Sequence, residues 1–466
     1  MWRECAGADV NMAALEPRVW PLNTSINQHG EMVFAGVSTS DLVQEFGTPL
    51  FVIDELDVKD RIKQYTTAYS NAPMPVKIHY ASKAFASADV LRWMVEGGLG
   101  VDVSTGGELA LALAAGVPPE LIVMHGNNKS IEEIERGITS GVGAIVIDSF
   151  DEIERLNRTC KSLHKTVDVF IRLTVGVEAH THEAISTAHE DQKFGLSIFS
   201  GAAEQATVEV NASPYLYLLG FHSHIGSQIF DQRGFELSAA RVVEFCAMLH
   251  KKYSFITKEI DLGGGTGIAY LPSDDPMSIA DMAKVLIELV VSESEKHKIA
   301  LPTLSIEPGR SIVGQSTVTL YEVGTIKPIE LDGNLTRTYI SVDGGMSDNI
   351  RTALYGAEYT ARIANRDPLG ELVQSRIVGK HCESGDIVVR DLLMASDVAP
   401  GDFIAVAATG AYHRSMASNY NMVAKPAVVA VKHEEARLLV RRETETELLA
   451  LDEGLKNQFQ LGQGNL

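Results

Sequence analysis

Cysteine is scarce and scattered in this chain of 466 residues. The four cysteines, Cys5, Cys160, Cys246 and Cys382, lie far apart and form no C-x-x-C pair, which excludes a disulfide framework and offers no zinc site; a reducing cytoplasm fits best. Positive charge is also short, with 40 Lys and Arg against 61 Asp and Glu and a formal net charge of −21. That balance speaks against nucleic acid or an anionic membrane surface as partner, since both attract basic patches. No stretch is long and apolar enough to span a bilayer. The opening MWRECAGADVNMAALEPRVWP, with Glu4 and Asp9, lacks the apolar core of a signal peptide, and Met12 is an alternative start. What remains is a globular composition, 45% hydrophobic and 22% charged, in a chain too long for one ordinary core.

Between about residue 50 and residue 310, β-rich runs alternate with helical patterns. Eight such runs are legible: VKIHYAS from Val76, VDVST from Val101, LIVMH from Leu121, AIVID from Ala144, VDVFIRL from Val167, LYLLGFHSH from Leu216, KEIDLGG from Lys258 and TLSIEPG from Thr303. Most are nearly continuous in Val, Ile and Leu, as parallel strands buried on both faces must be. Segments such as ADVLRWMVEGG, GELALALAAG and SIEEIERGITSG space apolar residues helically and stop at glycine. Eight βα units predict a closed (β/α)8 barrel, with an open doubly wound sheet as the alternative. After Arg310 the texture turns to strands and tight turns, which predicts a C-terminal antiparallel β domain. The expected limits are 1–48 for an N-terminal segment that pairs with the β domain through HGEMVFAGV, 49–311 for the barrel and 312–466 for the β domain.

Barrel enzymes carry their chemistry at the C-terminal ends of the strands. Here those ends deliver Lys83, then Asp102 and Ser104, His125, His222 and His224, the glycine run Gly263-Gly264-Gly265, and Glu307 with Arg310. Lys83 at the barrel mouth is a candidate for a desolvated amine that loses its proton and forms a Schiff base; alone, it reads as a surface lysine. The run IDLGGGTGI fits the dinucleotide fingerprint only partly, because position 268 is Ile and the following IAYLPSDDP does not open a helix. A smaller phosphate suits it better, with a tight turn as the plainer reading. Glu307-Pro308-Gly309-Arg310 adds an acid and a forked cation, either for a ligand or as a structural ion pair. A lysine, a phosphate cradle and an acid facing a pyridine nitrogen are together what pyridoxal phosphate requires. The histidines of HTHEAISTAH and HSH match no standard zinc spacing, so no metal is expected. The polar stretch that contains His180, His182 and His189, about 176–195, is expected to be a loop closing over the site.

Six motifs in this order, YASKA, HSHIGSQ, DLGGG, EPGR, HCESGD and GAY, spread over most of the chain, resemble the fold-type III pyridoxal-phosphate decarboxylases, and among these the diaminopimelate decarboxylases. The resemblance implies a cofactor-bearing barrel, a C-terminal β domain, and a homodimer whose active sites borrow residues from the partner. It implies Lys83 as the Schiff-base lysine and His224 as the ring-stacking histidine. Ser227, Gly263, Gly264 and Gly265, with backbone from Glu307 through Pro308 and Gly309 to Arg310, become the phosphate cradle, and Glu307 the acid at the pyridine nitrogen. Cys382 in KHCESGD becomes the partner's proton donor to the substrate carbon, and Tyr412 a contact to cofactor and substrate. Without the resemblance these two read as an inert cysteine and a core tyrosine.

Substrate choice falls by the same similarity on Arg310, Arg351, Tyr355, Glu383 and Tyr412. A substrate with a carboxylate and an ammonium at its far end needs a cation and an anion facing it. Arg351 and Tyr355 lie four residues apart, so one helical face presents both. Decarboxylases of ornithine, arginine or carboxynorspermidine, and a relative that only binds the cofactor, are the alternatives. Phe85 departs from the asparagine of many relatives.

Overall fold

The computed structural model describes residues 15–177, 192–332 and 335–455. Three short antiparallel strands open it, β1 (Thr24–Ile26), β2 (Met32–Phe34) and β3 (Val37–Ser38), followed by β4 (Leu50–Asp54). The barrel then runs through β5 (Val76–Ala81), β6 (Gly100–Val103), β7 (Ile122–Met124), β8 (Ala144–Ile147), β9 (Val167–Thr174), β11 (Leu216–Ser223), β12 (Glu259–Asp261) and β13 (Thr303–Ile306), with the two-residue β10 (Leu196–Ser197) appended to β9. All of these pairings are parallel. The ring closes because β8 pairs with β9 and β13 pairs with β5, so the open doubly wound alternative does not hold.

Helices fill the gaps where the apolar spacing predicts them, and their ends follow from local chemistry. Ser130 caps helix Ile131–Ser140 in a reciprocal box with Glu133, and Gly141, at φ 82°, ends it in the left-handed conformation. Ile134 and Ile138, four apart, are the buried face of that helix. Each stabilises the barrel by about 1.5–3 kcal/mol through removal from water.

Beyond the barrel lies a second sheet built from β14 (Thr317–Leu331), β15 (Leu335–Val342), β16 (Ala361–Ile363), β17 (Leu372–Val378), β18 (Ile387–Ala395), β19 (Phe403–Val406), β20 (Ala427–Lys432) and β21 (Glu435–Val440). Most pairings are antiparallel, but β15 lies parallel to β17, and β20 parallel to β4. β4, just past the expected boundary at 49, thus enters this sheet ahead of the barrel, between β14 and β20. The HGEMVFAGV strand pairs within its own small sheet and touches the second domain through Met32 N–H to the Ala364 carbonyl, 2.7 Å. Glu55, directly after β4, meets Lys59 at 2.8 Å, Lys432 at 3.1 Å and Arg437 at 3.2 Å, which ties the first barrel helix to β20 and β21.

Candidate active site

One cavity of about 600 Å3 opens at the C-terminal ends of the barrel strands. Lys83, His224, Ser227, Gly264, Gly265, Glu307, Gly309, Arg310, Arg351, Tyr355 and Tyr412 all line it. Lys83, His224, Gly264, Gly265, Glu307 and Arg310 among the strand-end residues read from the sequence share this space with Tyr412, up to 329 positions away, whereas Asp102, Ser104, His125, His222 and Gly263 do not line it.

Lys83 stands on a turn fixed from three sides. Ser82 N–H donates to the Asp102 carbonyl at the end of β6 (3.2 Å), Ala84 N–H to the Ala81 carbonyl (3.1 Å), and Tyr412 N–H, from the second domain, to the Ala84 carbonyl (2.9 Å). Tyr412 holds φ at 64°, an unusual conformation for a tyrosine, and its ring lies under the Arg310 guanidinium at 4.7 Å. The Lys83 side chain is walled by protein yet open to the cavity, and its amine has no hydrogen-bond partner among the described residues. Burial alone would release its proton, as the sequence suggests. Instead the acidic groups that face it, Asp102, Tyr412 and Glu307, outweigh the burial and hold the ammonium above the ordinary lysine value.

The glycine run is shaped by close approach. A Cβ on Gly264 would stand 2.0 Å from the Glu307 carbonyl oxygen, and one on Gly265, at φ 120°, 2.4 Å from the Gly226 carbonyl oxygen. The loop is pinned to β13 by Glu307 N–H to the Gly263 carbonyl (2.8 Å) and Leu262 N–H to the Ser305 carbonyl (3.0 Å). The neighbouring loop crosses it through Ile229 N–H to the Gly265 carbonyl (2.9 Å), and Gln228 clamps Ile268 from both sides. The N–H groups of Gly264, Gly265, Thr266, Gly309, Arg310 and Ser311 find no acceptor among the described residues, and all six residues line the cavity. Such a concentration of free donors is a receptor for an anion with several oxygens. The next helix starts only at Ile279, so the run does not open a dinucleotide helix.

Glu307 is buried at the cavity floor. His125 Nε2 stands 2.7 Å from its Oε1 and His222 Nε2 3.3 Å from its Oε2. Burial opposes charge on this carboxyl, but the two imidazoles outweigh it and hold Glu307 well below the usual carboxylate range. The imidazoles themselves are kept neutral by burial, His125 down to about 4, so they act through N–H dipoles rather than through full charge. Asp102 and Asp261, with burial and the Glu307 charge against them, are both pushed well up. His224 is likewise held neutral by burial and by the nearby cations Lys83 and Arg172, leaving a flat uncharged ring on the cavity wall.

A pair of guanidinium groups forms the opposite wall. Arg310 donates to Tyr270 Oη and, at 2.8 Å, to Ser227 Oγ; Arg351 donates to Tyr270 Oη and Tyr359 Oη, each at 2.9 Å. Neither arginine has a carboxylate within 4 Å among the described residues, and the Nε of each is buried without a partner. Two cations that share one phenol and lack an anion can receive a carboxylate. Arg351 is buried at the start of helix Arg351–Tyr355, while Tyr355 at its end is exposed. Tyr270 on the cavity wall and Tyr359 behind Arg351 escape the sequence reading, since nothing in their local sequence marks them; they join the site only because distant loops converge.

Cys382 and Glu383 do not line this chain's cavity. They are exposed on the loop between β17 and β18, which is braced by Asp386 accepting from His381 N–H (2.7 Å) and Met346 N–H (2.6 Å) and by His381 Nε2 against Ser347 Oγ (2.8 Å). Pro308 contributes its carbonyl to Ala81 N–H, 3.0 Å, which joins the EPGR segment to β5. His180, His182 and His189, and the greater part of the expected closing loop, lie outside the described residues. Among the described residues, no helix is long and apolar enough to cross a membrane.

Residues 56–314 match the family described as pyridoxal-dependent decarboxylase, pyridoxal binding domain. The chain is 53% identical over 442 residues to the diaminopimelate decarboxylase of Mycobacterium tuberculosis, covering 94% of this chain and 98% of that protein. It is 44% identical to the diaminopimelate decarboxylase of Bacillus subtilis, over 91% of this chain and 96% of the other. Among solved structures, the diaminopimelate decarboxylase of M. jannaschii in complex with L-lysine superposes with a TM-score of 0.85 at 33% identity, over 92% of this chain and 97% of that one.

Proposed function

This chain belongs to the pyridoxal-dependent decarboxylases, and from that membership we infer that it converts meso-2,6-diaminopimelate to L-lysine and carbon dioxide, the last step of lysine synthesis, with pyridoxal 5'-phosphate as cofactor. The observation that carries the reading is the convergence on one cavity of a partnerless lysine, an anionic buried glutamate, a donor-rich glycine cradle and two guanidiniums with no carboxylate partner among the described residues. These residues fit the cofactor: the close backbone approach that a Cβ at Gly264 or Gly265 would break keeps a set of free N–H donors on one cavity, and Glu307 lines the same cavity with its Oε1 not hydrogen-bonded among the described residues.

Lys83 would hold the cofactor covalently through its amine, His224 would lie against the ring face, and Glu307 would hold a proton at the ring nitrogen. Ser227, Gly263 to Gly265 and the backbone from Glu307 to Arg310 would take the phosphate, with Tyr412 beside them. When bound, pyridoxal phosphate supplies an electron sink for the pair left by the departing carboxylate. One carbon–carbon bond breaks, carbon dioxide leaves, and the carbon gains a proton. Arg310, Arg351 and Tyr355 would orient the substrate through its carboxylate, a role supported by their place on the cavity wall and by the lack of a carboxylate beside either arginine among the described residues.

Two features support a homodimer with shared sites. Cys382 and Glu383 are exposed on a braced loop and do not line their own cavity, so they suit the cavity of a second copy: Cys382 of the partner subunit as the proton donor, and Glu383 of the partner subunit as the anion for the distal ammonium. Cytoplasmic residence fits the cysteines, of which Cys160, Cys246 and Cys382 are free thiols. We further propose 1–48, 49–311 and 312–466 as the divisions of the chain, with β4 lent by the barrel segment to the second sheet.

The direct test measures carbon dioxide release and L-lysine formation from meso-diaminopimelate, with ornithine and arginine in parallel. Turnover of ornithine in preference to diaminopimelate would overturn the substrate assignment. Mixing a Lys83→Ala chain with a Cys382→Ala chain tests sharing. Random reassortment makes half the dimers mixed, each with one intact site, so about a quarter of normal activity should return; no recovery would refute it.

A further inference from the structure

His125 and His222 do not reach the cavity, yet each turns Nε2 toward a different oxygen of Glu307. Their rings meet edge to face, with centroids 4.9 Å apart and an interplanar angle of 71°, so each fixes the other's tilt. His222 lies within hydrogen-bond distance of Oε2, whereas the approach of His125 to Oε1 is close but off the N–H direction, which leaves Oε1 without a hydrogen bond of its own. As a neutral donor at Nε2, the His222 ring must carry an acceptor at Nδ1, and that atom is buried without a partner. A residue present only to fill space would not leave a buried polar atom unsatisfied.

The surroundings sharpen the question. Asp102 from β6 and Asp261 from β12 also face Glu307, as do His79 from β5, Arg172 from β9, and Lys83 and His224 above. Three carboxylates in one buried space cannot all ionise. Only Glu307 has an imidazole at each oxygen, and it is the one that opens onto the cavity.

We propose that His125 and His222 are positioning residues that reserve the negative charge of this cluster for Glu307 and aim its carboxylate at the ring nitrogen of the cofactor, so that this nitrogen carries the proton. The proposal rests on the pyridoxal reading above. It assigns no contact with substrate to either histidine; both act through Glu307.

The test compares binding of pyridoxal phosphate to the cofactor-free protein with binding of its 1-deaza analogue, whose ring bears C–H in place of nitrogen. Equilibrium constants are read from absorbance and fluorescence titrations. Replacing His222 by Leu, and separately by Phe in case Leu does not fold, should weaken pyridoxal phosphate about tenfold, the worth of one charge-assisted hydrogen bond, and change the analogue less than about threefold; the same replacements of His125, which remove a close polar contact rather than a hydrogen bond, should weaken pyridoxal phosphate more than the analogue by a smaller factor. His222→Gln, which keeps an N–H donor, should recover most of the loss. Equal losses for both ligands, or no loss for either, would overturn the assignment of the histidines alone. A wild-type chain that bound neither ligand, or preferred the analogue, would overturn the pyridoxal reading itself.

Discussion

Gly264→Ala adds one methyl group at the tightest point of the cradle. Gly264 does not have a left-handed φ, so space alone decides the outcome. The new Cβ would lie 2.0 Å from the Glu307 carbonyl oxygen and 2.9 Å from its carbon, whereas real Cβ contacts essentially never fall under 3.0 Å. The glycine loop and the end of β13 must therefore part by about 1 Å. The bonds that resist parting are Glu307 N–H to the Gly263 carbonyl and Leu262 N–H to the Ser305 carbonyl, each worth about 1 kcal/mol net. Overpacking of this kind costs about 1–3 kcal/mol, and here the displaced groups are the free N–H donors and Glu307 itself. The expected result is a drop of roughly 5- to 150-fold in pyridoxal phosphate affinity, since each 1.4 kcal/mol is tenfold. The assay titrates cofactor-free protein with pyridoxal phosphate and follows absorbance, with thermal unfolding run alongside. Gly107→Ala is the control: its nearest neighbour is Thr105 Oγ1 at 3.8 Å, and on helix Gly106–Ala115 the methyl should add up to about 1 kcal/mol of stability without touching affinity. If Gly264→Ala bound cofactor within threefold of the unaltered chain, the close-approach argument would be wrong.

Two predictions concern stability and pH. Burial pushes Asp348 up to about 7, although Tyr321 Oη and Gly345 N–H both donate to it. The folded chain therefore binds that proton more tightly than the unfolded chain, whose value is near 3.8, and stability should fall as pH rises from about 4 to about 7, by up to about 4 kcal/mol. Asp348→Asn should flatten this decline in urea midpoints measured between pH 5 and 8; an unchanged slope would contradict it. Glu55 has the opposite sign. Burial opposes its charge, but Lys59, Lys432 and Arg437 lower it to about 2, so its contribution is complete above about 4.5 and lost as pH falls toward 2. With partners partly exposed and screened, Glu55→Gln should cost about 1–2 kcal/mol at pH 7 and progressively less toward pH 3, as read by denaturant unfolding; a pH-independent loss would point to packing instead.

The eight barrel strands are legible because a strand buried on both faces must be apolar throughout, and a run such as AIVID has few other readings. β4 is less legible. LFVID is equally apolar, but its partners begin 267 and 377 residues later, and nothing local fixes a register across such distances. The parallel pairings in the second sheet are hidden for the same reason. At the site, residue types come through where a strand end supplies them, as with Lys83 and Glu307. Tyr270 and Tyr359 do not come through, because a phenol in a loop has no meaning until two arginines arrive beside it.

Protonation is the deeper gap, since it is set by neighbours rather than by residue type. Desolvation at the barrel mouth predicts a neutral Lys83, yet the acidic groups that face it keep it charged, so its proton has to be moved before its amine can bond to an aldehyde. Asp102, Asp261 and Glu307 all stand at strand ends, and although the EPGR motif singles out Glu307, residue type alone does not say which of the three carries the charge. The choice falls to two histidines that stand 182 and 85 residues before Glu307 in the chain and do not touch the cavity. Replacing either histidine should therefore alter which carboxylate carries the charge while leaving every residue on the cavity wall in place. For that reason a comparison of two ligands that differ only at the ring nitrogen is more informative here than loss of turnover, which any of a dozen wall substitutions would also produce.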